Sequence, residues 1–311
     1  MSPGENPAIL LKAEGLQVSR GGALVLDIPV LDIFPDQVLA LIGPNGAGKS
    51  TLLLTLACLL KPSRGRFSFN GREIDAGRGD VEYRRRIAMV FQEPLLFDAT
   101  VFDNVAAGLK IRGTGREEIG RVVPGYLELF GIAHLAKRSA RKLSGGEAQR
   151  TSLARAFVTK PEIIFLDEPF SSLDPPTREA LIGDLERILR ETHTTAVAST
   201  HDQTEALRLA DRMAVMNGGR IAQIGSVAEV MTRPADEFVA SFVGVETVLP
   251  GRVLRISDGG FTAVVEGGEI EAVGHVRTGE GVLCCIRPEH VTLSTNTLPP
   301  GTSARNVFLG I

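Results

Sequence analysis

This chain contains the segment Gly43-Pro44-Asn45-Gly46-Ala47-Gly48-Lys49-Ser50-Thr51, which fits the pattern G-x-x-x-x-G-K-[ST]. The apolar run Gln37–Ile42 precedes it and is typical of a buried strand. The segment Thr51–Ala57 follows it and is typical of a helix. A strand, a glycine-rich loop and a helix in this order are the context in which the pattern binds phosphate.

The loop has the groups needed to hold a triphosphate. Glycines allow successive backbone N–H groups to point at one anion, and the N-terminus of the next helix adds partial positive charge. Lys49 is expected to reach the outer phosphates, and the Ser50 hydroxyl to ligate Mg²⁺. The sequence therefore predicts a nucleoside triphosphate site. The alternative is a glycine turn beside a solvated lysine.

Composition restricts the class of protein. The chain has 311 residues, 43% hydrophobic and 23% charged, which suits two globular domains. A net charge of −3 disfavours a protein held on nucleic acid by its overall field, so we expect no nucleic acid partner. Three cysteines are too few for a disulfide framework and fit a reducing cytosol. The longest apolar stretch, Thr51–Leu60, falls short of the roughly 20 residues that cross a bilayer, and residues 1–7 lack the basic start of a signal peptide.

The order of the patterns predicts an α/β fold. Short strand signals at 9–11, 15–18 and 24–26 indicate an antiparallel β edge. Strands then alternate with helices up to about residue 200, which favours a mostly parallel sheet covered on both faces. The region from Asp80 to Leu135 is mainly helical, and Pro124-Gly125 predicts a break in the helix that begins at Arg116.

A pair of carboxylates follows a second apolar run. The segment Ile163–Glu168 places Asp167 and Glu168 at the end of a predicted central strand, where ligands of parallel sheets gather. Asp167 is placed to hold Mg²⁺, through water, opposite Ser50. Glu168 is placed to orient or deprotonate an attacking water. A purely structural pair of acids is the alternative.

A third motif is the string Leu143–Arg150, which opens with Ser144, Gly145 and Gly146 before a predicted helix. A hydroxyl and backbone N–H groups at a helix N-terminus suit an anion, although an ordinary helix cap has the same appearance. Together with the phosphate loop and the Asp167-Glu168 strand, this string resembles the ATP-binding cassette family, the nucleotide-hydrolysing subunits of transporters. Gln92, the Ser171–Asp174 segment and His201 follow the family order, and the match covers residues 9 to 240.

The resemblance implies a fold and a set of roles in hydrolysis. The fold would be the P-loop NTPase fold of this family, with a helical subdomain at about 93–160. Lys49 and the Gly43–Thr51 backbone would bind the phosphates of ATP, while Ser50 and Gln92 would ligate Mg²⁺. Glu168 would act as the catalytic base, and His201 would contact the γ-phosphate and hold the attacking water.

The resemblance also implies partners. Ser144 and Gly146 would reach the γ-phosphate of ATP bound to a second copy, so that two chains enclose two nucleotides head to tail and Asp174 helps to join them. Two integral membrane permease subunits would receive the resulting motion, and an extracytoplasmic solute-binding protein would deliver the cargo. The chain would then lie on the cytoplasmic face of the membrane as a peripheral subunit.

One segment departs from the family pattern. Many relatives stack an aromatic side chain on adenine before the second strand, but Val18-Ser19-Arg20-Gly21-Gly22 contains none. Arg20 either lies flat against the base as a planar cation or is a solvated arginine. The sequence therefore predicts phosphate binding more firmly than selection of adenine.

The segment after Gln92 resembles the permease-docking region of bacterial importer subunits. It comprises Thr100–Leu109, and apolar surface near Gln92 would come from nearby side chains, namely Phe91, Leu95, Leu96, Phe97 and Val101. The alternative is that these side chains are ordinary core of the helical subdomain. Because Gln92 connects this region to the Mg²⁺ site, closure around ATP would move a docked permease helix.

After about Phe242 the sequence changes to short alternating segments separated by glycine turns, which predicts an ATPase domain at 1–242 and a small all-β accessory domain at 243–311. Residues 242–249 resemble tungstate and molybdate importer subunits, and residues 303–308 resemble the opening of molybdate-binding barrel modules. Residues 286–291 resemble the accessory OB-like barrel of oxyanion, sugar and polyamine importers, which the end of the chain leaves incomplete. We therefore expect tungstate or molybdate as the cargo, with a possible oxyanion site on this domain. Sulfate, phosphate, sugar or polyamine importers are the alternatives. A soluble ATP-driven switch and a cargo-sensing regulatory module are the competing classes.

Overall fold

The computed structural model describes residues 8–77, 79–245, 247–257 and 259–286. This part of the chain divides between Val227 and Ala228 into two compact units. The domain boundary at 242/243 remains a prediction. Within the described ranges, no helix is both long and apolar enough to cross a membrane.

The first unit is built on a six-stranded sheet with the order β10-β9-β3-β8-β7-β6. The pairs from β9 to β6 are parallel, and β10 pairs antiparallel with β9. Every residue of the central strands β3, β7 and β8 is buried, as their continuous apolar runs predict. The strands are β3 (Val38–Ile42), β6 (Ile87–Val90), β7 (Ile163–Asp167), β8 (Thr195–Thr200), β9 (Arg212–Asn217) and β10 (Arg220–Ser226).

The predicted antiparallel β edge is a sheet of its own, with the order β2-β1-β4-β5. Its strands are β1 (Leu11–Arg20), β2 (Ala23–Ile33), β4 (Arg64–Phe69) and β5 (Arg72–Glu73). Ile9 and Leu10 precede β1, but Leu11 of the first predicted signal and the whole signal at 15–18 belong to this single strand. They look separate in the sequence because the alternation of buried residues shifts by one at Gly15, where the pairing with β4 changes register.

Helices cover both faces of the central sheet, as predicted. Alternate residues of β7 face two hydrophobic clusters: Ile164 and Leu166 face one, while Ile163 and Phe165 face the other. The first cluster is completed by α3 to α6, and the second by α1 and the antiparallel sheet. The helices of this unit are α1 (Lys49–Leu56), α2 (Val81–Arg86), α3 (Val101–Ile111), α4 (Arg116–Leu129), α5 (Gly145–Phe157), α6 (Pro175–Thr192) and α7 (Gln203–Leu209).

The predicted break at Pro124-Gly125 is wrong, because α4 runs through both residues. Proline removes one helical hydrogen bond, which leaves the carbonyl of Gly120 without its usual donor. Gly120, Pro124 and Gly125 are all exposed, so water can satisfy that carbonyl. The opposite face of α4 buries Ile119, Val123 and Leu127 in the first hydrophobic cluster. The packing of this apolar face outweighs the local preference for a break.

The second unit contains two short helices and an antiparallel sheet with the order β13-β12-β11-β14. Its elements are α8 (Val227–Thr232), which begins at the division, α9 (Glu237–Phe242), β11 (Thr247–Ser257), β12 (Gly260–Val265), β13 (Gly268–Ala272) and β14 (Gly281–Ile286). Val253, Phe261, Ala263, Ile270 and Cys284 form part of its own buried cluster. After Phe242 the described residues form strands and no helix, which confirms the predicted small β domain, whereas its OB-like barrel form and its bounds remain predictions. The oxyanion-module motifs at 287–291 and 303–308 lie outside the described residues.

Candidate functional site

The phosphate loop connects β3 to α1 with a backbone that only glycine permits at two points. Gly43 has a φ of 154° and Gly48 a φ of 99°. A Cβ atom on Gly43 would lie 2.3 Å from the carbonyl oxygen of Met216, so alanine does not fit there. Gly48 is the N-cap of α1, and no side chain caps this helix. The first N–H groups of α1 are therefore available to an anion.

Lys49 is held under this loop although it carries a charge. Its Nζ donates to the carbonyl oxygens of Gly43 at 2.7 Å and Pro44 at 3.2 Å, and it lies 3.7 Å from Oε1 of Glu168. Burial lowers the pKa of the Lys49 ammonium below its ordinary value, although the charges of Glu168 and Asp167 act in the opposite direction. The loop thus presents a poorly hydrated cation that phosphate oxygens would stabilise.

Asp167 and Ser50 meet at the end of β7. Oδ1 of Asp167 accepts hydrogen bonds from the Ser50 hydroxyl at 2.8 Å and from the Ser199 hydroxyl at 2.6 Å. A carboxylate and a hydroxyl are the oxygen ligands that Mg²⁺ prefers. The chemistry of these two residues therefore fits a magnesium ion, and Ser50 and Asp167 are the residues that would hold it.

Glu168 and His201 form the second polar pair of the site. Oε2 of Glu168 lies 3.2 Å from Nδ1 of His201. Nδ1 is thus the ring nitrogen that faces the carboxylate, and Nε2 takes no part in this contact. The Glu168 carboxylate is only 15% exposed, whereas the His201 ring is 55% exposed. This pair suits a buried base beside a histidine that faces an incoming ligand.

The strand register explains why these residues meet. Ile42 of β3 pairs with Thr200 of β8, and Asp167 of β7 pairs with Ser199 of β8. The phosphate loop, the two acids and His201 therefore leave the sheet at the same carboxyl edge. Gln92 follows β6 near this edge, but its side chain is exposed, and no hydrogen bond between described atoms joins it to Ser50 or Asp167.

The Ser144-Gly145-Gly146 turn is built differently. The Ser144 side chain accepts from the backbone N–H of Glu147 at 3.3 Å, and the Ser144 N–H donates to Oε2 of Glu147 at 2.7 Å. This reciprocal capping box starts α5 and lowers the pKa of Glu147. Ser144 and Gly145 are exposed, and a Cβ on Gly146 would lie 2.6 Å from Cγ2 of Thr177. In a single chain this turn makes no described contact with the Lys49 site.

Asp174 also caps a helix. Its carboxylate accepts from the backbone N–H of Thr177 at 3.2 Å, and Pro175 and Pro176 occupy the first positions of α6. Hydrogen bonds from Thr177 lower the pKa of Asp174.

Arg20 lies exposed at the end of β1, next to the turn into β2. Val25 and Leu26 of β2 approach Gly48, which brings this hairpin close to the phosphate loop.

Sequence reasoning missed the role of Ser199. Its hydroxyl donates to Asp167, and it accepts from the backbone N–H of Glu168 at 3.0 Å, so one side chain fixes both acids. The signal was a pair of hydroxyl residues, Ser199 and Thr200, at the end of an otherwise apolar strand. Both side chains are polar and buried, and buried hydroxyl groups need hydrogen-bond partners.

Comparisons with known proteins agree with this geometry. Residues 26–171 match the family model described as ABC transporter. The chain is similar to a molybdate/tungstate import ATP-binding protein, WtpC, from Thermococcus kodakarensis, with 43% identity over 86% of this chain and 78% of that protein. It is also similar to an Fe(3+) ions import ATP-binding protein, FbpC, from Streptomyces coelicolor, with 43% identity over 79% of this chain and 70% of that protein.

A solved structure gives the same result. The protein cbiO1 from Clostridium perfringens, described as part of the ABC transporter complex cbiONQ, aligns with a TM-score of 0.67. The two sequences are 32% identical, and the alignment covers 77% of this chain and 96% of that one. The fold and site define a nucleotide-binding protein of the P-loop class. The chain belongs to the ATP-binding cassette transporter family, and it is an ATPase of the importer type.

Proposed function

We propose that this chain hydrolyses ATP in a head-to-tail homodimer and thereby drives uptake of tungstate or molybdate through a separate permease. The observation that carries the hydrolytic part is the convergence of Lys49, Ser50, Asp167, Glu168 and His201 at one sheet edge. The cargo is a finer inference, supported by the names of similar relatives and by the accessory β domain.

In the proposed reaction, Lys49 turns from the loop carbonyls to the outer phosphates of ATP. Ser50 and Asp167, with Gln92 after closure, would hold Mg²⁺, which would neutralise charge on the phosphates. Glu168 orients and deprotonates the attacking water. His201 stays beside Glu168 and uses its exposed ring edge to contact the γ-phosphate and to hold that water in place.

The dimer supplies the remaining part of the site. Ser144 and Gly146 are proposed to approach the γ-phosphate held by the second copy, since their turn is exposed and opens a helix whose dipole favours an anion. Asp174 would join the two copies from the start of α6. Light scattering of the full chain with ATP tests this arrangement in a Glu168→Gln background, where hydrolysis does not remove the nucleotide.

In that background the chain is expected to become dimeric with ATP, and the further change Ser144→Arg is expected to leave it monomeric because the bulky cation occupies the place of the phosphate-facing hydroxyl. Asp236→Arg is the matched control, since Asp236 also caps a helix, α9, away from the phosphate loop in sequence. A dimer that persists with Ser144→Arg would refute the shared site.

The proposed permease contact lies beside Gln92. Leu95 and Phe97 are 60% and 56% exposed, whereas Val101 is fully buried and belongs to the core. A neighbouring groove of about 400 Å³ is lined by apolar and basic side chains, among them Val81, Ile111, Arg84, Arg112 and Arg155. Arg155 joins the two surfaces, since it donates to the carbonyl of Leu95 and lies over the ring of Phe97. Such a surface suits a short helix with apolar and acidic residues.

A peripheral location on the cytoplasmic face of the membrane follows from this contact. Fractionation of source cells tests it with Phe97→Asp, which is expected to move the chain from the membrane fraction to the soluble fraction. Val30→Asp is the control, because Val30 is equally exposed on β2 but away from Gln92 in the fold. An unchanged distribution of the Phe97→Asp chain would exclude this docking surface.

The cargo is proposed from the relatives. Relatives of comparable identity are named for Fe(3+) ions and for sulfate/thiosulfate, so import of iron or of sulfate is the alternative that the comparisons support, with other solutes after them. A solute-binding protein would deliver the cargo to the permease, and the oxyanion site on the accessory domain remains a prediction.

Uptake measurements decide between these cargoes. Source cells in which this chain carries Glu168→Gln are expected to lose uptake of labelled tungstate and molybdate, while uptake of sulfate and iron continues. Loss of iron uptake with normal tungstate uptake would replace the proposed cargo. Cells carrying Glu162→Gln serve as the control, because Glu162 precedes β7 and lies at the opposite end of that strand.

A further inference from the structure

One side chain outside the proposed site connects two of its segments. Arg178, in the first turns of α6, donates from Nη2 to the carbonyl oxygen of Leu173 at 3.2 Å. The same guanidinium places Nη1 3.7 Å from Oδ2 of Asp202 and Nε 3.9 Å from Oε1 of Glu205. Arg178 is thus tied to the Ser171–Asp174 segment on one side and faces two carboxylates on the other.

These two carboxylates hold the turn that carries His201. The Thr200 hydroxyl donates to Oε2 of Glu205 at 2.5 Å and accepts from the backbone N–H of Asp202 at 3.0 Å. Oδ1 of Asp202 accepts from the backbone N–H of Thr204 at 2.8 Å and starts α7. Both neighbours of His201 in the chain are therefore fixed by groups that face Arg178.

The contact between Arg178 and Glu205 involves a buried carboxylate, which needs a nearby cation or hydrogen bonds to stay ionised. Glu205 and Thr200 are each only 5% exposed. Burial raises the pKa of the Glu205 carboxyl above its ordinary value, whereas the hydrogen bond from Thr200 and the charge of Arg178 lower it. Removal of Arg178 would leave a buried carboxylate without its cation, and such a group moves or takes up a proton.

The contact is also incomplete, which leaves room for movement. Nε of Arg178 is buried and has no hydrogen-bond partner among the described residues. Its distance to Glu205 exceeds that of a charged hydrogen bond by about 1 Å. A shift of α6 by about that amount would close the bond. A displacement of the Ser171–Asp174 segment would therefore move Arg178 and, through its two carboxylate partners, the turn that carries His201.

We propose that Arg178 is a positioning residue for ATP hydrolysis, which holds the turn of His201 in a fixed relation to the Ser171–Asp174 segment. The inference rests on the proposed function, because it requires that His201 acts on the γ-phosphate. Arg178 itself contacts no nucleotide in this arrangement. It should therefore affect the rate of hydrolysis and not the binding of ATP.

Steady-state hydrolysis by the purified full chain with MgATP is the first test. Arg178→Met keeps most of the side-chain volume and removes the charge, and it is expected to lower kcat between about 10- and 100-fold, as misplacement of a reacting group does. KM for ATP is expected to stay within about twofold. Arg187→Met, on the same helix but in exposed pairs with Asp184 and Glu191, is expected to leave both constants unchanged. An unchanged kcat for Arg178→Met would overturn the inference.

The ring signals of His201 in carbon–proton correlation spectra provide a second readout that does not depend on turnover. They are assigned by their loss in His201→Ala, and they are expected to shift or broaden in Arg178→Met but not in Arg187→Met. If Arg178→Met does not fold, Arg178→Lys replaces it and is expected to give a smaller change of the same kind. Unchanged His201 signals would overturn the inference, whereas normal hydrolysis by His201→Ala would overturn the proposed role of His201 alone.

Discussion

The phosphate loop edge and the Ser144-Gly145-Gly146 turn are the two regions proposed to contact an anion, and they differ in burial and in the contacts that they make. At the loop edge, Lys49 and Asp167 are buried, and their polar atoms contact other residues of the same site. In the turn, Ser144 and Gly145 are exposed, and the Ser144 side chain bonds to Glu147 within its own helix cap. The first region is assembled by folding, while the second presents a free surface.

This difference indicates which of the two regions binds the nucleotide first and which completes the site afterwards. The buried groups of the loop edge already lie together in the single chain, so the loop edge suits the part of the site that binds first. An exposed cap is free to be covered by another molecule, and the turn suits the part that closes the site last. The predictions below change one region at a time.

The largest effect is expected at the loop edge. Glu168→Gln removes the proposed base but keeps its size, so hydrolysis is expected to fall between about 10²- and 10⁴-fold. The affinity for ATP, measured by calorimetry, is expected to remain close to that of the unchanged chain, because Lys49 and the loop are intact. Glu162→Gln at the other end of β7 is the control. Hydrolysis at the normal rate would remove Glu168 from the role of base.

A smaller effect is expected at the turn. Ser144→Ala removes the cap hydroxyl and is expected to lower hydrolysis by the dimer about 10- to 100-fold, the value of one hydrogen bond to a charged group. The free energy of unfolding is expected to fall by about 1 kcal/mol, as for other caps. Asp236→Ala removes the cap of α9 and should lose similar stability without loss of hydrolysis. Equal hydrolysis by the two variants would reduce Ser144 to a structural cap.

The next prediction concerns the stability of α5, the helix that begins after Ser144. Gln149 of α5 is fully buried, and neither amide atom of its side chain has a hydrogen-bond partner in the described part of the chain. Gln149→Met keeps the shape and removes the unpaired groups, so the free energy of unfolding in urea is expected to rise by about 1 kcal/mol. Leu153→Met, in the same helix, is the control and should bring no gain. A loss of stability would mean that the amide is hydrogen-bonded after all.

The smallest effect is expected at Arg20, at the end of β1. If Arg20 lies against the base, Arg20→Ala is expected to raise KM for ATP about two- to fivefold, the value of an exposed cation–π contact. The measurement is steady-state hydrolysis, and kcat should not change. Arg66→Ala, on the neighbouring strand β4, is the control. An unchanged KM would leave Arg20 as a solvated side chain.

The loop edge was more predictable from the sequence than the contacts behind it. The apolar runs before Gly43 and Asp167 identify central strands, and parallel strands end at a common edge, so the meeting of these groups follows from general rules. The break at Pro124 was wrongly predicted, since it depends on which face of α4 is buried, and a local pattern does not give that face.

The contacts of Ser199 and Arg178 were beyond prediction for a different reason. They join residues of β7, β8, α6 and α7 that are far apart in the chain, and their side chains carry no spacing rule. Only the register of β7 against β8 brings Ser199 beside Asp167. Sequence reasoning therefore gives the groups that touch the nucleotide more readily than the groups that hold them in place.

The backbone at Glu168 has a φ of 43°, a left-handed conformation that costs a residue other than glycine about 1–2 kcal/mol. Two hydrogen bonds from its N–H to the carbonyl and hydroxyl of Ser199 maintain it. Because glycine and asparagine adopt this conformation at lower cost, directed evolution for heat tolerance is expected to select them at this position. Because Glu168 is the proposed base, such variants are expected to lose hydrolysis while they gain stability, and a screen for melting temperature alone would not detect the loss.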